Sequence, residues 1–191
     1  MTIPETFADH SAVATRAALE LPPMLERAVG AVFECLRAGG KILACGNGGS
    51  ARRSSRNRPT SSATTCWASA ALPAIALTGD SATLTALGND YGFERVFARQ
   101  VEALARPGDV LLAISTSGNS PNVVRAAQAA RSLGCSVIAF TGARGGELAG
   151  QTELTIKAPS HTVARIQEVH SLCIHAICEA LDELIRAQDT R

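Results

Sequence analysis

The sequence predicts an α/β fold, a largely parallel sheet with helices on both faces, and three observations carry that prediction. Short, continuous apolar runs recur along the chain, and continuous rather than alternating hydrophobicity means strands buried on both sides. Helical patterns lie between these runs, so strand and helix alternate. The chain, 191 residues with 46% hydrophobic and 18% charged, is long enough for one sizeable core.

Each element follows from a local pattern. Residues 24–38, "MLERAVGAVFECLRA", place Leu25, Ala28, Val29, Val32, Phe33 and Leu36 on one helical face, and Gly39-Gly40 supplies the stop. "KILAC" (41–45), "LPAIAL" (72–77), "DVLLAIS" (109–115) and "CSVIAFT" (135–141) read as strands, with "LTIKA" (154–158) a weaker fifth. Helices are expected at 93–105, at 121–133 with Pro121 in the first turn after Ser120, and at 162–187. The expected organisation is an N-terminal helical region over 1–40 and a sheet-containing domain over 41–191, packed as one globular unit.

Charge and cysteine usage exclude several classes. Eighteen Lys and Arg against seventeen Asp and Glu leave a net charge of +1, so the chain has no global basic field and direct nucleic-acid binding is not expected. Six cysteines (Cys35, Cys45, Cys66, Cys135, Cys173, Cys178) form no CxxC pair and mostly sit in apolar runs, which suits a reducing cytoplasm. "MTIPETFADH" lacks a basic start followed by an apolar stretch, and no run approaches about 18 apolar residues; a cytoplasmic protein without membrane partners is the expectation.

In a sheet of this kind ligands bind beyond the carboxyl ends of the strands, which directs attention to the loops after "KILAC" and "DVLLAIS". "GNGGS" (Gly46 to Ser50) offers glycines whose backbone N–H groups can approach an anion. "STSGNS" (Ser115 to Ser120) gathers the hydroxyls of Ser115, Thr116, Ser117 and Ser120 in a turn entering a helix, where free N–H groups and the dipole favour a phosphate. Taken singly, one is also an ordinary tight turn and the other an ordinary N-cap. Taken together, after two buried strands of one sheet, they point to a sugar-phosphate pocket.

Four stretches, "GKILACGNGGSA", "LPAIALTGDSATLTALGNDYGFERVFARQVEALARPGDVLLAISTSGNSPNVVRAAQAAR", "IAFTGARGGELAG" and "ARIQEVHSLCIHAICEALDELI", resemble the sugar isomerase (SIS) domain family and, within it, the phosphoheptose isomerases. The resemblance implies a flavodoxin-like fold, a homotetramer, and conversion of sedoheptulose 7-phosphate to D-glycero-D-manno-heptose 7-phosphate for the inner core of lipopolysaccharide. It further implies that Asn47, Gly48, Gly49 and Ser50, with Asn89 and Asp90, contact substrate, and that Ser115, Thr116, Ser117 and Ser120 hold its phosphate. Gln167 and His175 are implied to bind substrate and a zinc ion. Aldose–ketose isomerisation needs a base at the carbon beside the carbonyl and an acid at oxygen, and His175 can supply the acid. A packed core histidine is the other reading of His175, and the one adopted for His170.

One segment departs from the pattern. In the family "GNGGS" runs into a helix of the form S-x-x-D-A-x-H-x-x-x-E, whose His and Glu are the implied metal ligands and whose Glu is the implied base. Counted from Ser50, those two positions hold Arg56 and Thr60. Arg is a permanent cation that does not ligate zinc, and Thr has no pKa suited to proton abstraction. Residues 52–71, "RRSSRNRPTSSATTCWASAA", contain no Leu, Ile, Val, Met or Phe and carry Pro59 where a helix interior is expected. A divergent loop, a basic insert and two compensating frame shifts all account for the segment; preserved length and abrupt edges favour the last. The zinc site is therefore expected to be incomplete. Two other functions stay open at this point: a non-enzymatic SIS protein that binds the replication initiator, and a sugar-phosphate-binding module.

Overall fold

The computed structural model describes residues 2–54 and 72–189, with side chains over 2–51 and 72–187. Arg56, Arg58, Pro59, Thr60 and Cys66 lie outside the described residues, as do the side chains of Arg52 and Arg53. Two helices open the chain, α1 (Ile3–Glu20) and α2 (Pro22–Arg37). Then follow β1 (Ile42–Gly46), α3 (Gly48–Ser54), β2 (Ala74–Ala76), α4 (Ser81–Tyr91), α5 (Val96–Leu104), β3 (Val110–Ile114) and α6 (Pro121–Ser132). Strand β4 (Ser136–Gly142), α7 (Gly146–Ala149), β5 (Leu154–Ala158) and the long α8 (Val163–Asp189) complete it.

All five strands are parallel, in the order β2-β1-β3-β4-β5. This is the flavodoxin-like order, and its direction of winding reverses between β1 and β3. Pairing of Gly46 with Ile114 brings the carboxyl ends of those two strands level. Asn47 and Ser115 therefore leave the sheet side by side.

Side chains of each apolar strand point alternately to opposite faces and feed two cores, one per face. Ile42, Val110, Leu112, Ile114, Ile138, Phe140 and Ile156 pack beneath α1, α2 and α8. Leu43, Leu111, Ala113, Val137 and Ala139 pack beneath α5 and α6, against Phe97, Val101, Val123 and Val124. Burial of each large aliphatic or aromatic side chain contributes about 1.5–3 kcal/mol, so two filled faces account for why the strands read as unbroken apolar runs. Val13, Ala17, Val29 and Val32 share the first core with the sheet, so α1 and α2 are packed into it rather than appended.

Helix α1 starts on a capping box: the Thr2 hydroxyl accepts from Glu5 N–H, and Thr2 N–H donates to the Glu5 carboxylate at 2.6 Å. Buried Arg165 then fastens α1 to α8, donating to the Thr6 carbonyl at 2.7 Å and to Glu168. Glu168 also pairs with His10 at 2.7 Å. Burial alone pushes the Glu168 carboxyl up, but the hydrogen bonds from His10 and Arg165 outweigh it and hold it below its usual value. At the opposite end of the sheet Asp109, with a side chain 3% exposed, accepts from Lys41 N–H, Lys41 Nζ and Arg106 N–H at 2.9, 2.5 and 2.7 Å. That carboxylate ties the starts of β1 and β3 together.

Differences from the sequence reading are local. Only Ala74–Ala76 of the 72–77 run pairs as a strand, and the helix expected from residue 93 begins as a 3₁₀ turn over Phe93–Arg95. Helix α4 has no buried residue and so no hydrophobic stripe to announce it. Its signal is Asp80, whose carboxylate accepts from Ala82 and Thr83 N–H groups. Cys35, Cys45, Cys135, Cys173 and Cys178 are free and buried, and burial pushes the thiols of Cys45 and Cys173 up to about 12. Among the described residues no helix is long and apolar enough to cross a membrane.

Candidate functional site

The first loop is shaped by the helix it enters. The Asn47 carbonyl accepts from Ser50 and Ala51 N–H groups, which starts α3, and Ser50 is buried under the turn. Gly49 is there for close approach: a Cβ at that position would lie 2.5 Å from Gln167 Nε2 and 2.7 Å from Oε1. The Gln167 amide thus lies directly on the backbone of the "GNGGS" loop, which joins the first turns of α8 to the end of β1.

The second loop wraps the start of α6. The hydroxyl of buried Ser115 lies 2.9 Å from Ser120 Oγ and 3.5 Å from Ser117 Oγ, a cluster of three hydroxyls at a helix N-terminus. Ser120 is the N-cap residue, yet its hydroxyl is spent on Ser115 rather than on the helix backbone. The loop is held from outside by the β4–α7 turn. Gly118 has φ +71°, and a Cβ there would sit 1.9 Å from the Gly145 carbonyl oxygen. Leu148 N–H donates to the Gly118 carbonyl and Glu147 N–H to Asn119 Oδ1, both at 2.8 Å. A cavity of about 230 Å³ adjoins this loop, lined by Thr116, Ser117, Arg144, Ser160, His161 and Ile166. A larger one of about 570 Å³ lies along β2, between Ile75, Leu87 and Leu104, and contains none of the sequence-predicted residues.

The structure therefore brings together Asn47, Gly48, Gly49, Ser50 and Gln167 on one side of the switch point, with Ser115, Thr116, Ser117 and Ser120 on the other. Asn89 and Asp90 are exposed near the end of α4 and hydrogen-bond to each other, at 2.8 Å, rather than to either loop. His175 is half-buried two turns beyond Gln167 on the continuous α8. His170 is fully buried, donating through Nε2 to the Thr141 carbonyl at 3.0 Å with Phe140 edge-on at 5.6 Å, and so is the packed core histidine expected.

A zinc site needs three or four protein donors on one point. Gln167 and His175 are eight residues apart, about 12 Å along the helix axis. Among the described residues no three His, Cys, Asp or Glu side chains converge to hold a metal. The Gln167 amide, moreover, is pressed against Gly49. These residues do not make a zinc site by themselves, and the two positions that the resemblance adds, Arg56 and Thr60, lie outside the described residues and carry the wrong chemistry.

Sequence reasoning missed Asn122. It is 2% exposed in the first turn of α6, and its amide pairs with that of Asn47: Asn47 Nδ2 donates to Asn122 Oδ1 at 2.9 Å and Asn122 Nδ2 to Asn47 Oδ1 at 2.8 Å. Its signal was its place in "GNSPN", two residues beyond the last predicted phosphate-loop serine.

A parallel five-stranded sheet of flavodoxin-like order, with polar loops meeting at its switch point, is the layout of a SIS domain, and the SIS domain family profile matches residues 7–142. The chain shares 46% identity with a phosphoheptose isomerase of Chromohalobacter salexigens over 183 residues, 88% of this chain and 87% of that one. The solved phosphoheptose isomerase of Neisseria gonorrhoeae superposes with a TM-score of 0.89 at 42% identity, covering 95% of this chain and 97% of the other. That of Francisella tularensis gives 0.90 at 39%, covering 96% and 100%. This chain belongs to the phosphoheptose isomerases of the SIS domain family.

Proposed function

We propose that this protein isomerises sedoheptulose 7-phosphate to D-glycero-D-manno-heptose 7-phosphate, supplying the heptose of lipopolysaccharide, as a cytoplasmic homotetramer. We further propose that the chain as written does so slowly. The observation that supports the substrate is the meeting of two loops at the switch point between β1 and β3. On one side stand the hydroxyls of Ser115, Ser117 and Ser120 at a helix N-terminus, suited to a phosphate. On the other stand Asn47, the backbone at Gly48 and Gly49, and the Gln167 amide, suited to the hydroxyls of a sugar. Placing phosphate and polyol in fixed relation converts a diffusive encounter into an oriented one.

The chemistry transfers a proton between neighbouring carbons through an enediol, and His175 is the group proposed to protonate oxygen. The base is the weak point. Arg56 and Thr60 stand where the family carries His and Glu, and loss of a general base typically costs about 10²–10⁴ in rate. Four arginines, Arg52, Arg53, Arg56 and Arg58, also repel a cation. The isomerase names of the close relatives favour this reading over an initiator-binding protein. A pull-down with the initiator is expected to be negative.

The test compares the chain as written with a version carrying a D-A-x-H-x-x-x-E helix over residues 53–60, by metal analysis and sedoheptulose 7-phosphate turnover. The chain as written should bind sugar phosphate weakly, hold no stoichiometric zinc and turn over little, and the restored version should recover all three. Full activity in the unmodified chain shows the base to be misplaced. Binding without turnover in both versions leaves a sugar-phosphate-binding module. Translation of the coding DNA for 52–71 in its other two frames tests the frame-shift account, which fails if neither yields an acidic, His-containing helix.

A further inference from the structure

We infer that Asn122 is a positioning residue of this site: it does not meet the substrate but sets the side chain of Asn47 and, through it, the spacing between the sugar side and the phosphate side of the pocket. The inference rests on the sugar-phosphate reading above and goes beyond it in naming a residue, a mechanism and a ligand feature. The Asn47–Asn122 pair is reciprocal, each amide donating once and accepting once, at 2.9 and 2.8 Å. A single hydrogen bond leaves a carboxamide free to turn about its last bond. Two in a ring remove that freedom.

The main chain of Asn47 is already fixed, because its carbonyl accepts from Ser50 and Ala51 N–H groups at 2.9 and 3.2 Å. With backbone and amide both held, one Nδ2 hydrogen and one Oδ1 lone pair of Asn47 remain uncommitted by the pair. An adjacent donor and acceptor suit a carbon chain bearing hydroxyls, each of which donates and accepts. They suit a second anionic group poorly.

Burial and placement separate positioning from simple satisfaction of a core amide. Asn122 is 2% exposed and so out of reach of a ligand in the pocket. It follows Pro121 in the first turn of α6, two residues after Ser120, whose hydroxyl belongs to the Ser115 cluster. One rigid turn therefore carries a phosphate-side group on one residue and the partner of a sugar-side residue two further on. The pair spans 75 residues of sequence and bridges the loop after β1 to the helix after β3. Any tilt of α6 changes the phosphate position and the Asn47 amide together.

The test measures sedoheptulose 7-phosphate and inorganic phosphate binding by calorimetry on the full chain, in the parent, Asn47→Ala, Asn122→Ala and the double variant. Loss of the pair should weaken sugar-phosphate affinity by about fivefold to thirtyfold, the worth of one to two neutral hydrogen bonds. Inorganic phosphate affinity should stay within about twofold, since neutral groups away from the hydroxyl cluster are the ones removed. Asn122→Ala should add little further loss once Asn47 is Ala. Asn122→Leu keeps the bulk under α6, guards against a variant that fails to fold, and should behave like Asn122→Ala. Equal weakening of both ligands makes Asn122 a mere prop for α6 and overturns the inference. So do additive losses in the double variant. A parent that binds neither ligand overturns the pocket reading itself, and does so before any variant is compared.

Discussion

Replacement of Gly49 by Ala puts the meeting of α3 and α8 to a quantitative test. The new methyl carbon would lie 2.5 Å from Gln167 Nε2, 2.7 Å from Oε1 and 2.8 Å from Cδ. Carbon needs about 3.5 Å from such atoms for ordinary contact, so the amide must withdraw by about 1 Å. The obstacle is the far end of a flexible side chain, so the fold yields cheaply. Driving Gln167 about 30° off a preferred rotamer costs on the order of 0.5–1.5 kcal/mol, and stability should fall by no more than that. The site should suffer more, because a displacement of about 1 Å in an oriented pocket can cost roughly 10²-fold in rate. The assay pairs urea unfolding with sedoheptulose 7-phosphate binding on the chain as written, and with turnover on the version carrying the restored helix. A large loss of function beside a small loss of stability is the expected result. Unchanged binding, with the variant folded and the methyl in place, would refute the role given to the Gln167 amide.

Three further expectations concern other parts of the molecule. Asp109→Asn should lose about 2–4 kcal/mol, since it weakens a buried, triply hydrogen-bonded carboxylate and leaves Lys41 without its partner charge. Burial pushes the Asp109 carboxyl up, but the bonds from Lys41 and Arg106 prevail and hold it below its ordinary value. Its contribution is therefore complete above the unfolded value of about 3.9 and fades as pH falls through the lower folded one. Melting curves of parent and variant should accordingly draw together as the pH falls below about 3.9, and a gap that does not narrow counts against the assignment. Ser120→Ala should weaken sugar phosphate and inorganic phosphate alike, by about 1 kcal/mol or somewhat more for a charged acceptor; calorimetry showing loss for only one of them would misplace the phosphate. Ile3 and Phe7, one turn apart on α1, are 77% and 70% exposed, an apolar surface that an interface would cover, and light scattering should find an assembly larger than a monomer at micromolar concentration. Phe7→Glu should reduce it, and a monomeric parent would remove the proposal.

Legibility in the sequence followed burial. Strands β1, β3 and β4 were readable because both faces of the sheet are covered, which leaves unbroken runs such as Val110 to Ile114. Helix α4 was not, because Leu84 and Leu87 only half-bury and its start depends on one carboxylate, Asp80. The hydroxyls of Ser115, Thr116, Ser117 and Ser120 were visible as a run of chemistry within six residues. The family resemblance implied only that Gln167 and Gly49 both meet the substrate; their direct contact came from the structure, since nothing in local patterning relates positions 118 residues apart. Asn122 escaped both routes. A lone Asn in a first helical turn looks like a start signal, and its partner lies 75 residues earlier. The spacing of the two loops, by contrast, follows from strand order alone, which short apolar runs do not encode.

The buried cysteines give the molecule a built-in clock. Thiol reagents attack the thiolate, and a thiol pushed up to about 12, as at Cys45 on β1 and Cys173 on α8, offers almost none at neutral pH. Access is closed as well, since all five described cysteines are buried. They are spread over both layers: Cys35 and Cys173 in the core beneath α2 and α8, Cys45 and Cys135 in the core beneath α5 and α6. Alkylation at each position therefore proceeds only as fast as that layer opens. Mass-resolved labelling against time would separate two histories without any engineered probe. If Cys45 and Cys173 are capped in step, the two faces of the sheet open as one unit; if the Cys173 layer is capped first, α1, α2 and α8 peel from a sheet that α5 and α6 still hold.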